Sequence, residues 1–495
     1  MSHLFKKNYK IIYKTFIISI FFIIIALSYL GFQNYSGSKI NYLSFTIISN
    51  FLILFAARKN TIFFESFFSL FLWLGFWFKF TCTIVFTDGV FREGVGMFDY
   101  SKKSFDETLL VSQIGILAFI ISGFFREYFI FNYPRKLDLQ NFKYNPFLFG
   151  RKNIWIFFSI IFVAIACLNF YFKVYQKGLI PIYEINFLIS GIFKWLLLFG
   201  LSAFSANLIF YEFNFYKKFF FISLLLITTE VFFTSFSMLS RGMIFNVLAL
   251  LLGIYKFSKK VNKPNNINYY SKSIIFAFIL FYISISSVNY IRANYFYVGK
   301  SSIFTTNKFS EVKEYKKGED KKIKKYATAK SINSEILYLI INRWVGIDGI
   351  MSVISKKDLL NSSFLLSSFN ERASKNMPTF YELTFELKEN KVSNELYENV
   401  KGNTLPGVLA FSYYSGSYYI LFLIIFSISI FASCLEYLSF KFSSNNLILA
   451  ALIGQVIAFR FAHFGYLPHQ SYLLFGSIIL TILLSYILSL CFKKI

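Results

Sequence analysis

The stretch SIIFAFILFYISISSVNYI, residues 273–291, decides the fold class of this chain, because it is long, apolar and free of charged side chains. As a helix, a run of this length crosses roughly 30 Å of hydrocarbon. It is followed directly by a polar stretch from Arg292 to Pro406, in which a water-soluble substructure can form. Most of the remaining chain consists of similar apolar runs, so we predict an all-α polytopic membrane protein.

The composition supports this class. The 495 residues are 56% hydrophobic, and only 15% are charged, mostly between the apolar runs, where ionisable groups avoid the high cost of bilayer depth. The formal net charge of +26 comes largely from Lys and Arg in short loops and at the termini, where they fix orientation. No basic region is paired with a recognisable nucleic-acid module, so we predict the lipid bilayer and no nucleic acid as partner.

Neither a disulfide framework nor a metal site is indicated by the cysteines and histidines. The cysteines lie far apart, in or beside apolar runs and without CxxC spacing; they are Cys82, Cys167, Cys434 and Cys491. The chain has three histidines, His3, His463 and His469, and lacks the HExxH motif of zinc sites. We therefore expect no cofactor and no metal.

The apolar windows predict about twelve spans. They lie near residues 11–30, 40–57, 61–86, 109–131, 154–172, 187–211, 219–239, 242–257, 273–291, 407–437, 446–462 and 471–490. The first follows a lysine-rich start, but it is too long for a typical signal-peptide core and lacks a convincing cleavage site. We expect it to be an uncleaved span.

Lys and Arg in alternate turns predict the orientation, because such residues accumulate on the cytoplasmic side. Those on the side of the N-terminus are Arg58, Lys59, Arg135, Lys136, Lys143, Arg151, Lys152, Lys217, Lys218, Lys256, Lys259, Lys260, Lys263, Lys441, Lys493 and Lys494. Both termini are therefore expected in the cytoplasm. The predicted organisation is nine spans in residues 1–291, a large external loop in 292–406 and three spans in 407–495.

Within the loop, apolar residues spaced three or four apart predict an amphipathic helix near 333–355, packed across the external surface of the bundle. Arg343 interrupts its apolar face, and an arginine in such a setting needs an anionic or accepting partner. One candidate partner is Asp348 or a backbone carbonyl. The other is a phosphate, which the planar guanidinium can bind through two parallel hydrogen bonds.

Three further arginines are predicted at the depth of Arg343. Arg241 lies in a tight turn between two spans, Arg292 begins the large loop, and Arg460 lies inside an apolar run. Together the four arginines can form a positively charged group that holds a diphosphate. The alternative is that each is an ordinary interfacial residue whose charged head reaches towards water.

Other loop and turn residues are candidates for substrate contacts. His463, in the final external turn, can serve as a general base near these arginines or be a simple interfacial residue. Asp348 and Arg372, in the large loop, are further candidates for substrate binding.

In its second half the chain resembles the Wzy-type O-antigen polymerases. The resemblance rests on the number of spans, on the position of the large loop between spans nine and ten, and on three motifs. These are SRGMIF at 240–245, NRWVGIDGIM at 342–351 and TLPGVLAFSYYSGSYY at 404–419. The first half resembles the family in hydropathy only.

The resemblance implies a metal-independent, inverting glycosyltransferase of lipopolysaccharide biosynthesis in the bacterial inner membrane. The donor is a glycan on undecaprenyl diphosphate, the acceptor is a hydroxyl of a lipid-linked repeat unit, and a chain-length regulator protein is an expected partner. Basic side chains stabilise the departing diphosphate, a role we assign to Arg241, Arg292 and Arg343. The general base stays open among Asp348, Glu371, Glu382 and His463.

Three alternatives give different expectations for this chain. The related O-antigen ligases rely on a histidine in the large loop, and residues 292–406 contain none. A lipid-linked oligosaccharide flippase is expected to keep its loops short. A glycosyltransferase acting on monosaccharide carriers would place acidic residues in the first external loop, and GFQNYSGSK at 31–39 has none. We therefore favour the polymerase.

Overall fold

The computed structural model describes residues 2–87, 89–91, 95–139, 142, 145–147, 150–177, 186–262, 267–296, 341–371, 379–385, 405–464 and 468–492. The secondary structure of these residues is helical, as the composition predicts. The sequence prediction of an all-α membrane protein is confirmed at this level.

The described residues form sixteen helices. They are α1 (Ser2–Asn34), α2 (Lys39–Ala56), α3 (Phe63–Phe86), α4 (Lys102–Ile130), α5 (Arg151–Phe172), α6 (Phe187–Tyr216), α7 (Phe221–Ser237), α8 (Ile244–Lys260), α9 (Ile267–Phe296), α10 (Ile347–Ile354), α11 (Ser362–Phe369), α12 (Phe380–Thr384), α13 (Gly407–Ser412), α14 (Tyr418–Phe442), α15 (Leu447–Ala462) and α16 (Pro468–Phe492). Short 3-10 turns at Arg241–Met243, Lys357–Leu359 and Tyr413–Ser415 join some of them.

Nine helices among the described residues are long and apolar enough to cross a membrane. They are α2 to α6, α8, α9, α14 and α16. Shorter apolar helices occupy the other three predicted positions, at Ile18–Asn34 within α1, at α7 and at α15. The protein is thus a multi-pass membrane protein, and the count of twelve spans stays a prediction.

Helix α15 lies at the centre of the described bundle. It packs chiefly on α3 and α8, and also on α14. Nearly all of its residues are buried, the exceptions being Phe459 and Arg460 near its end. Close approach depends on small residues, since a Cβ atom added at Gly253 of α8 would lie 2.8 Å from that of Ala451. Small residues at helix contacts are typical of membrane bundles, where close packing replaces the hydrophobic effect.

The prediction of one continuous helix through Arg343 is wrong over the described residues. Residues 343–346 form a turn, α10 begins only at Ile347, and the expected helix start near residue 333 lies outside the described residues. The backbone of Gly346 lies against that of Gly75 in α3, so closely that a side chain at either position would collide with a carbonyl oxygen. The carbonyl oxygens of Asn342 and Trp344 accept from Lys79 of α3, so they are engaged by a distant segment and not by a local helix.

Helix α10 is a buried element and not a surface helix. All eight of its residues are buried, and it packs on α4 and α13. A carboxylate inside it, Asp348, pairs with Lys79 of α3 and not with Arg343. The loop segment therefore forms part of the bundle core at one end.

The tenth predicted span also begins later than expected. Residues 407–412 form the separate short helix α13, and the long helix α14 starts at Tyr418. Gly416, with φ of +70°, adopts the left-handed backbone conformation that favours glycine and separates the two. At the other boundary, α9 continues past Ile291 to Phe296.

Candidate functional site

Four aromatic side chains meet at one end of the bundle, and we call them the aromatic platform: Phe71, Phe245, Trp344 and Phe459. The Phe459 ring centroid lies 5.8 Å from that of Phe71 and 6.1 Å from that of Phe245. Trp344 stacks on Phe71 with centroids 6.4 Å apart. The platform joins α3, α8, α15 and the segment before α10, so it fixes how these four parts of the chain meet.

Basic side chains lie at and around Phe459 and His463. The Lys177 ammonium lies 5.4 Å from the Phe459 ring centroid, and His463 stacks on the same ring with centroids 4.2 Å apart. Arg343 and Arg460 lie close enough to act electrostatically on His463. We call Lys177, Arg343, Arg460 and His463 the basic cluster.

The charges of the cluster act on His463, which follows the end of α15. Burial is the largest cause lowering its pKa, to about 3, and the charges of Lys177, Arg343 and Arg460 lower it further. A hydrogen bond to the Phe459 carbonyl works in the opposite direction. The imidazole is therefore neutral at physiological pH, in a place where added positive charge is disfavoured and an anion is favoured.

The backbone on both sides of Arg343 is bound by the buried side chain of Lys79 in α3. The Lys79 ammonium donates to the carbonyl oxygens of Asn342 and Trp344, each at 3.0 Å, and lies 2.7 Å from Asp348 Oδ1. The ammonium thus has two carbonyl acceptors and a carboxylate beside it. The two carbonyls flank Arg343, whose side chain is exposed. Asp348, a predicted substrate-binding residue, is thus engaged in this internal pair.

Hydrogen bonds to the end of α7 fix the backbone of the turn that contains Lys177. Asn169 donates to the carbonyl oxygens of Tyr175 and Ser237, at 3.1 and 3.0 Å, and accepts a hydrogen bond from the Tyr175 amide. The Lys177 amide then donates to the Met238 carbonyl at 2.9 Å. Sequence reasoning did not single out Lys177. Its signal is a lysine in a turn that the predicted orientation assigns to the external side, where basic residues are expected to be few.

Arg460 and Arg241 reach this end of the bundle from two further elements. Arg460 Nε donates to Ser471 Oγ of α16 at 2.8 Å. Arg241 opens the turn between α7 and α8, and the next residue, Gly242, faces Phe459 so closely that a Cβ atom would lie 2.9 Å from Cζ. The predicted tight turn at Arg241 is present, and its backbone lies beside the cluster.

The turn is tied to the peripheral helix α9. Ser235 Oγ donates to the Ser240 carbonyl at 2.6 Å and lies 2.7 Å from Ser284 Oγ. Helix α9 packs on both α7 and the turn. Arg292 belongs to α9, but its side chain lies outside the described part of the chain, and Arg372 lies outside it altogether.

Two other carboxylates predicted as candidate bases have local partners. Glu382 closes a capping box with Thr379, accepting from its amide at 2.7 Å and from its hydroxyl at 3.0 Å. Glu371 Oε1 accepts from the Phe380 amide at 2.8 Å. Both therefore have structural roles at the start of α12.

Within the described residues, no group of three or more His, Cys, Asp or Glu side chains is placed to hold a metal ion. What the arrangement offers instead is an ammonium group and an imidazole beside Phe459, with two guanidinium groups close enough to act on that imidazole. Such groups bind anions, and a phosphate or diphosphate best matches several cations at once. Comparisons with protein-family models, with curated proteins and with solved structures gave no match.

Proposed function

We propose that this protein is an O-antigen polymerase of the Wzy type, which joins undecaprenyl-diphosphate-linked repeat units at the periplasmic face of a bacterial inner membrane. The observation that carries the proposal is the basic cluster around Phe459, at one end of a multi-pass bundle. Both termini lie in the cytoplasm in this proposal. A chain-length regulator protein is the expected partner.

The cluster suits a reaction in which a diphosphate leaves. In an inverting transfer, an acceptor hydroxyl attacks the anomeric carbon on the side opposite the diphosphate, and negative charge grows on the departing oxygen. Guanidinium groups already in position stabilise that charge without having to reorganise. Arg343 and Arg460 lie in the cluster, and we assign the same task to Arg241 beside it.

The proposal keeps two residues whose side chains lie outside the described part of the chain. Arg292 belongs to the helix that packs on the Arg241 turn, so we retain it as a diphosphate contact. Arg372 is retained as a substrate-binding residue. In the proposal these cations supply the electrostatic stabilisation, and no metal is required.

Two observations favour a polymerase over the alternatives. The ligases to which the family is related use a histidine in the large loop, whereas His463 of this chain follows α15 and the loop has none. A flippase needs a path through its centre, but the central helix α15 is packed by α3, α8 and α14 along its length. A catalyst at one end of the bundle fits this packing better than a carrier.

The test is to incubate the purified protein in proteoliposomes with a lipid-linked repeat unit. A ladder of lipid-linked oligomers is the expected product. Transfer only to added lipid A would indicate a ligase, and translocation without any new glycosidic bond would indicate a flippase. Either of these outcomes contradicts the proposal.

A further inference from the structure

The orientation of His463 fixes which of its nitrogens can accept a proton. Nδ1 lies 2.9 Å from the Phe459 carbonyl oxygen, which can only accept a hydrogen bond. Nδ1 therefore carries the proton in the neutral ring, and Nε2 carries the lone pair. Stacking on the Phe459 ring fixes the plane of the imidazole. The chain thus holds one basic nitrogen in a set orientation inside the basic cluster.

The other three candidate bases are engaged elsewhere. Asp348 is paired with the buried Lys79. Glu382 is buried in its capping box, and Glu371 accepts from the amide that begins α12. Of the four candidates, His463 alone belongs to the cluster that the proposed function assigns to the diphosphate.

We propose that His463 is the general base of the transfer and that a bound lipid diphosphate makes it competent. This inference rests on the proposed function. As the acceptor oxygen forms its bond to the anomeric carbon, its proton passes to Nε2. The bond from that carbon to the diphosphate breaks, and the diphosphate keeps the electron pair. The imidazolium afterwards returns its proton to water or to the released diphosphate.

The dependence on the diphosphate follows from the charges around the ring. The described charged groups that act on His463 come from three elements: Lys177 before α6, Arg343 before α10 and Arg460 of α15. These positive charges oppose protonation and leave the imidazole a weak base. A diphosphate among them offsets their charge and raises the pKa of His463, which strengthens the base. Donor binding therefore precedes activation of the acceptor.

The variant His463→Asn tests the catalytic role. The Asn amide can still donate to the Phe459 carbonyl, but it offers no basic nitrogen. We expect kcat to fall by about 10²- to 10⁴-fold, the usual contribution of a general base. Binding of undecaprenyl diphosphate in nanodiscs should change by no more than a few-fold. Gel filtration checks that the variant stays folded.

The pH profile separates a base from a merely structural residue. In the wild type, the acid limb of kcat should lie at higher pH than that of kcat/KM, because kcat reports the complex and kcat/KM the free enzyme. The limb of kcat should be absent in His463→Asn. Wild-type turnover in this variant, or an unchanged limb, would overturn the role of His463.

A measurement without catalysis tests the effect of the anion. The chain has three histidines, so the His463 imidazole can be followed by NMR after assignment with the variant. Addition of inorganic pyrophosphate, or of undecaprenyl diphosphate, should raise its pKa. If neither probe changes the pKa of His463, the claim that the diphosphate activates this base is overturned, even if a ladder forms. A raised pKa together with no wild-type ladder overturns the base role and the proposed function, but keeps the anion site.

Discussion

Lys79 and Asp348 form a buried ion pair, 2.7 Å apart, that joins a membrane helix to a segment of the large loop. The same ammonium binds the carbonyls on either side of Arg343. Because Arg343 itself is exposed, its position depends on this internal contact. Lys79 is therefore a positioning residue for the basic cluster.

The variant Lys79→Met should destabilise the protein and lower polymerisation. Removing one partner of a buried pair typically costs about 3–5 kcal/mol, because the other charge stays buried. If Lys79 acts on turnover only through Arg343, then Lys79→Met should cause no further loss of turnover in an Arg343→Ala background. Additive losses in rate per folded molecule would show a separate role.

Glycines at the contact between α3 and the loop segment should not tolerate alanine. A methyl group at Gly75 or Gly346 would collide with a backbone carbonyl, and overpacking of this kind costs about 1–3 kcal/mol. Gly191→Ala and Gly476→Ala are matched controls, since no atom lies within 4 Å of a Cβ at either position. Thermal unfolding of the four variants in detergent would compare them, and equal losses at all four positions would contradict the contact.

Arg126 should behave differently from the arginines of the cluster. It is fully buried near the other end of α3, where its Nη2 lies 2.7 Å from both carboxylate oxygens of Glu65. We expect Arg126→Met to lower the free energy of unfolding by about 3–5 kcal/mol and to leave turnover per folded molecule near wild type. Unchanged stability with lost turnover would mean that arginines outside the cluster also serve catalysis.

His463 should make stability depend on pH. Its pKa is about 3 in the folded protein, against roughly 6.5 for an unperturbed histidine. The unfolded chain therefore binds a proton first as pH falls, and the free energy of unfolding decreases from about pH 6.5 towards about pH 3. The contribution of His463 to stability is fully present above about pH 6.5. The free energies of unfolding of wild type and His463→Asn, measured across this pH range, test this contribution. Parallel curves of the two proteins against pH would contradict it.

The long apolar helices could be predicted from the sequence because their signal is local. Each span needs a run of apolar residues, and the predicted windows lie within a few residues of most described helices. The start of α14 was misplaced, since the apolar run GVLAFSYY continues through a break that depends on Gly416. Hydropathy records the environment of a segment and not its backbone path.

The environment of Arg343 could not be predicted in the same way. Apolar spacing indicated a helix, but carbonyl contacts with Lys79, more than 260 residues away in sequence, fix a turn instead. One signal was present, since a lysine inside the apolar run of α3 needs a buried partner. The sequence analysis did not use that signal, and only the fold identifies the partner of Lys79 as Asp348.

Lys177 shows the same limit. Its place in the cluster depends on the hydrogen bonds of Asn169 to the end of α7, which join segments roughly 70 residues apart. Lys177 and the nearby Lys173 belong to no recognisable motif. Its role becomes visible only when Phe459 and His463 are seen beside it.

The most direct test of the central claim is the initial rate of ladder formation by three proteins in identical nanodiscs: wild type, Arg343→Ala and Arg135→Ala. Arg135 is an exposed arginine outside the cluster and serves as the matched control. We predict that Arg343→Ala lowers the rate by about 10²-fold or more, the usual loss of a charge-stabilising donor. Arg135→Ala should stay close to wild type. Equal rates for the two folded variants would contradict the account.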